Sequence, residues 1–95
     1  MEQSEIEVQG TPNPNAAKFV VEATLSPEGS RSYFGAEDAE GDPLAERLFE
    51  VEGVEALLIV DNFVTVTKAE GLEWADLVDE VKEALRGELE DRAGN

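Results

Sequence analysis

The spacing of hydrophobic and polar residues changes period along this chain, and each change predicts a different element. Glu5-Ile6-Glu7-Val8-Gln9 alternates polar and apolar residues and predicts a half-buried strand. Gly10-Thr11-Pro12-Asn13-Pro14-Asn15 interrupts the alternation. Each proline holds its own φ and pushes the preceding residue out of the helical region. Asn13 and Asn15 can bond nearby backbone, so a stiff turn is expected. Ala17 to Glu22 predicts a second strand, Leu25 to Gly29 a loop, and Arg31 to Phe34 a weak third strand that stops at Gly35.

After the acidic stretch Ala36 to Gly41 the period becomes helical. Asp42 suits an N-cap and Pro43 the first helical position. Leu44, Leu48, Phe49 and Val51 form one stripe, and Gly53 is placed as the stop. Val54 to Val60 and Phe63 to Lys68 flank Asp61-Asn62, two residues that tolerate positive φ, which predicts a tight hairpin. Its register sets Val60 opposite Phe63, Ile59 opposite Val64, Leu58 opposite Thr65 and Leu57 opposite Val66. Leu57, Ile59, Val64 and Val66 then share one face; Leu58, Val60, Phe63 and Thr65 share the other. From Glu73 to Leu89 the positions Trp74, Leu77, Val78, Val81 and Leu85 predict a last helix, interrupted at Gly87 and followed by a frayed tail over 90–95.

The predicted order is β-β-β-α-β-β-α. It reads as an α+β fold, a single domain over 1–95 with its core at about 5–89, built on a mostly antiparallel sheet of about five strands. Two helices on one face of that sheet would leave the Leu58–Val60–Phe63 face partly uncovered. Such a patch marks a partner site unless the Thr11–Asn15 turn or the strand around Tyr33 covers it.

Charge and composition then remove whole classes of function. Seven Lys+Arg against 23 Asp+Glu give a net charge of −16. Nucleic acid and anionic membrane surfaces are expected to be repelled. No stretch is apolar enough to span a membrane, and the acidic start is unlike a secretory leader, so a cytoplasmic location is expected. The carboxylates are spread along the chain and lysines are few, a pattern that resembles the solvated surface of salt-adapted, halophilic proteins.

With no histidine, the serines lack a base; with no cysteine, there is no thiolate for catalysis, zinc or an iron–sulfur cluster. Glu37 to Asp42 has carboxylates two apart and a glycine, but fails the twelve-position calcium loop: with Gly41 sixth, Ala36 would be first and Arg47 twelfth. No glycine-rich phosphate loop is present. The chain is expected not to be an enzyme.

Thr11-Pro12-Asn13-Pro14-Asn15-Ala16-Ala17-Lys18-Phe19 resembles the signature of the N-terminal domain of Nfu-type (NifU-like) iron–sulfur scaffold proteins. Pro43-Leu44-Ala45, Arg47-Leu48-Phe49, Val51-Glu52-Gly53-Val54, Phe63 to Lys68 and Glu73-Trp74 continue the resemblance in order. The resemblance implies an accessory role in iron–sulfur cluster assembly or delivery, with iron-ion binding ascribed to the group. It also implies that cluster chemistry resides in a separate domain bearing Cys-x-x-Cys. Lacking cysteine and histidine, this chain is expected to hold no cluster or other cofactor; iron enters by resemblance only. The expected function is protein docking to a Cys-x-x-Cys scaffold domain or a recipient apoprotein. The candidate partner-binding residues are Thr11, Pro12, Asn13, Pro14, Asn15, Lys18, Leu58, Val60 and Phe63. Two alternatives stand beside it: iron binding through carboxylates, and a homo-oligomer built through the hairpin or an edge strand.

Overall fold

A computed structural model describes residues 6–22 and 24–93. The elements are β1 (Glu7–Gly10), β2 (Ala16–Val20), β3 (Ser26–Tyr33), α1 (Pro43–Phe49), β4 (Val54–Asp61), β5 (Phe63–Lys68) and α2 (Trp74–Ala93), the expected order. The strands form one sheet in the order β1-β2-β5-β4-β3, and every neighbouring pair is antiparallel.

The β4–β5 hairpin has the register read from the sequence, with Val60 opposite Phe63 and Leu57 opposite Val66. Asp61 takes the positive φ of 42° that closes it. The turn has a second task. Chain leaving β2 must pass the end of the hairpin to reach β3 on the far edge, and the turn receives it. Val21 N–H donates to Asn62 O at 2.8 Å, Leu25 N–H donates to Asp61 O, and Asn62 Nδ2 donates to Val21 O at 3.1 Å.

Alternation assigns the two sheet faces. Phe19, Leu57, Ile59, Val64 and Val66 are buried beneath the helices with Leu44, Leu48, Leu77, Val81 and Leu85. Full burial of each such side chain contributes about 1.5–3 kcal/mol. Asp42 caps α1, accepting Ala45 N–H at 3.3 Å, and Pro43 opens the helix.

Four elements differ from expectation: β1 covers Glu7–Gly10 and is exposed throughout rather than half-buried, with Glu5 outside the described residues, and α1 ends at Phe49, leaving Val51 and Gly53 beyond it; the other two are β3 and α2. β3 begins at Ser26 rather than Arg31. The register shifts between those residues, so Pro27 to Gly29 bulge out of a strand that the sequence reads as a loop. Proline and glycine are tolerated there because β3 is an edge, with Ser26 Oγ donating to Gly29 O across the bulge. In turn, α2 continues through Gly87 to Ala93, so residues 90–93 are helical rather than a tail; 94 and 95 lie outside the described residues. Gly87 is the place where α1 crosses closely. A Cβ there would collide with the Arg47 guanidinium, which pairs with Asp91 at 2.6 Å and with buried Glu88 at 3.7 Å.

Candidate functional site

The candidate residues fall into two separate groups. Thr11 to Asn15 form a turn at one end of the sheet, wired internally. Thr11 Oγ lies 2.9 Å from Asn13 O and 3.0 Å from Ala16 O, and accepts Asn13 N–H at 3.1 Å. Asn13 Oδ1 accepts Asn15 N–H at 2.9 Å, and Asn13 O accepts Ala16 N–H at 3.0 Å. Two helix-side residues hold the turn from outside. Lys68 Nζ donates to Asn15 Oδ1 at 3.0 Å, and Trp74 Nε1 donates to Pro14 O at 3.1 Å. The Trp74 ring stands 6.1 Å from that of Phe19, while Lys68 Nζ lies 5.9 Å from its centroid. Pro12, Asn13 and Pro14 remain exposed on a turn whose backbone is clamped.

Lys18, Leu58, Val60 and Phe63 lie on the sheet face opposite the helices. Lys18 pairs across to Thr65, Val20 to Phe63, and Phe63 to Val60. The Lys18 ammonium sits 4.2 Å from the Phe63 ring centroid. Leu58 is 37% exposed, whereas its neighbour Ile59 is fully buried. The Thr11–Asn15 turn is tied to Lys68 and Trp74 on the helix side, and β3 lies beside β4 in the sheet. On this face Ala16 is buried, Lys18, Val60 and Phe63 are half-buried and Leu58 is exposed.

A third cluster was not singled out from the sequence. Asp42, 7% exposed, accepts a hydrogen bond from the Tyr33 hydroxyl at 2.5 Å and pairs with Arg31 through the same oxygen, while its other oxygen caps α1. Arg31 also donates to Leu25 O at 3.1 Å. Burial, followed by the hydrogen bond and the negative charge of Asp42, pushes the Tyr33 hydroxyl above its ordinary pKa; Arg31 pulls it partly back. Arg31 and Tyr33 were legible as strand residues, but sequence spacing did not show that a bulged edge strand aims them at a helix cap.

The acidic loop behaves as ordinary turn chemistry. Asp38 accepts Phe34 N–H at 3.1 Å and Glu46 accepts Gly41 N–H at 2.9 Å. Among the described residues, no three carboxylates come together in a way that could hold a metal ion. No described helix is long and apolar enough to cross a membrane.

Comparison with known proteins identifies this architecture. Residues 6–92 match the family described as scaffold protein Nfu/NifU N terminal. The chain belongs to that family. This Nfu N-terminal domain is 40% identical over 77 residues to the mitochondrial NFU1 iron-sulfur cluster scaffold homolog of Drosophila ananassae, covering 80% of this chain and 27% of that protein. It is 36% identical over 78 residues to a NifU-like protein of Schizosaccharomyces pombe, covering 80% of this chain and 30% of that protein. The domain thus spans less than a third of the length of either relative, as their N-terminal portion. Among solved structures, a NifU-like protein from Saccharomyces cerevisiae superposes with a TM-score of 0.78 at 27% identity, covering 92% of this chain and 79% of that one. A Staphylococcus aureus protein shares the fold at a TM-score of 0.71 and 23% identity, covering 84% of this chain and 96% of that one.

Proposed function

We propose that this domain serves iron–sulfur cluster assembly or delivery as a non-catalytic docking module. The observation that carries the reading is a mismatch. The chain matches the scaffold family over residues 6–92, and its relatives are named as cluster scaffolds, yet its 95 residues contain no cysteine or histidine. Cluster irons are held by thiolates, with histidine as the usual substitute. A role within cluster assembly that uses these residues is therefore protein recognition, with the cluster held by another domain or protein.

Two features support recognition. The Thr11–Asn15 turn is exposed yet clamped by Lys68 and Trp74, so a partner would meet it with little ordering cost. The face bearing Lys18, Leu58, Val60 and Phe63 presents apolar side chains on a rigid sheet, the kind of surface that binds proteins. The partner class is a Cys-x-x-Cys scaffold domain or a recipient apoprotein.

The test is a chemical-shift titration of the isotope-labelled chain with the Cys-x-x-Cys domain of an Nfu-type scaffold, both apo and cluster-loaded. Perturbations are expected at Thr11–Lys18 or Leu58–Phe63. A spectrum unchanged at sub-millimolar partner concentration overturns the reading.

A further inference from the structure

The open sheet face is wider than the hairpin, and its chemistry specifies an occupant. Cross-strand register arranges it in three rows. The first runs Glu7, Val20, Phe63, Val60; the second runs Gln9, Lys18, Thr65, Leu58, Ser32. The third contains Ala16, Thr67 and Ala56, and Phe34 follows directly after β3. Phe34 is 78% exposed, the most exposed large apolar side chain among the described residues.

These rows carry Lys18 in the middle, Glu7 at the β1 edge and no other charge, on a chain of net charge −16. Acids border the first row. Glu22 and Asp61 lie exposed beyond the first row; Glu37, Asp38 and Glu40 follow Phe34 in the loop after β3. The apolar run of the first row, Val20, Phe63 and Val60, bordered by Glu7, Glu22 and Asp61, calls for an apolar stripe with basic flanks in a partner.

We propose that this face receives a partner helix whose apolar stripe is flanked by Lys and Arg. A helix is the natural covering for a sheet face, since the opposite face of this same sheet is already packed by α1 and α2. A second copy is disfavoured because it would set −16 against −16. Strand spacing and rise also give the face on the order of 400 Å², about half of the ~800 Å² per partner of a stable interface. The contact is therefore transient and salt-sensitive. The proposal relies on the docking role above only for there being a partner; it does not require that partner to handle clusters.

The test uses three synthetic peptides of about 18 residues, enough for roughly five helical turns. One carries a Leu stripe flanked by Lys, one the same stripe flanked by Glu, and one the Leu/Lys composition scrambled. Amide shifts of the full chain are followed at moderate salt, which suppresses condensation on the acidic surface. The striped Lys peptide is expected to bind at least about ten-fold more tightly than the scramble, with shifts confined to the three rows. The Leu58→Ser/Phe63→Ser variant is expected to lose about ten-fold of that affinity, as for truncated apolar anchors. Should Phe63→Ser shift the urea midpoint, Leu58→Ser alone replaces it. Equal binding of scramble and stripe, shifts running along α2 at Asp76, Asp79 and Glu83, or a dimer in sedimentation that Leu58→Ser abolishes would each overturn the proposal. Striped-peptide binding without any response to the Cys-x-x-Cys domain would retain this face and reject the cluster-assembly role.

Discussion

Arg47 of α1 lies across Gly87 of α2, in the space that a side chain at position 87 would occupy. From there the guanidinium reaches Glu88 and Asp91 on the same helix. The glycine that reads as a helix break in the sequence is instead a crossing point for the only arginine of α1.

This arrangement predicts a coupled pair. Glycine within a helix costs about 0.5–1 kcal/mol relative to alanine. In an Arg47→Ala background, Gly87→Ala should raise stability by about that amount. In the native background the new Cβ displaces the guanidinium from its carboxylates, and the gain should shrink or vanish. A double-mutant cycle by urea denaturation measures the difference, expected at about 0.5 kcal/mol or more. Equal effects in both backgrounds would show that the crossing carries no coupling.

The clamp on the Thr11–Asn15 turn is tested at Asn15. Lys68 is 7% exposed, and its ammonium donates to the Asn15 side chain. Asn15→Ala removes an acceptor from a buried charge and should cost about 1–3 kcal/mol. Asn15→Asp keeps an acceptor in reach and should recover most of the loss. Urea unfolding followed by the emission of Trp74, the one tryptophan, reports both.

Tyr33 is the one tyrosine, so phenolate absorbance reads it alone. Its midpoint is expected above the ordinary 10.0, first from burial and then from the hydrogen bond to Asp42. Because the folded pKa is raised, the stabilisation linked to it is fully present below pH 10 and is lost as pH rises through the folded value. Asp42→Asn should lower the midpoint part of the way towards 10 and leave the burial component. A midpoint unmoved by Asp42→Asn would mean that the carboxylate does not perturb Tyr33.

A chain with 23 acids and 7 bases repels itself, and salt screens that repulsion. The urea midpoint should therefore rise steadily as sodium chloride is raised from low concentration to molar levels. A flat or falling midpoint would remove the salt-adapted reading of the surface.

Local rules decided much of this fold. The Asp42–Pro43 pair carries its own start signal, because capping and a pre-set φ act within a few residues. The Asp61–Asn62 hairpin is equally local: a two-residue turn dictates the register, and the register dictates which side chains share a face. Leu57, Ile59, Val64 and Val66 therefore read correctly as core. The Thr11–Asn15 turn was legible as stiff, since prolines and asparagines act on their own backbone.

What tertiary structure alone decided is contact between residues far apart in the chain. Lys68 looks like a solvated strand end, until Asn15 and Trp74 arrive to bury it. Gly87 looks like a break, until α1 packs against it. Pro27 and Gly29 look like a loop, until an edge position makes a bulge harmless. Phe34 reads as the end of a weak strand, yet β3 stops at Tyr33 and leaves Phe34 exposed in the bend that follows. The sequence by itself determined periods, caps and turns, which depend on a few neighbouring dihedrals. Only the assembled sheet, by pairing strands distant in sequence and accepting helices on one side, decided which apolar residues are core and which remain available to a partner.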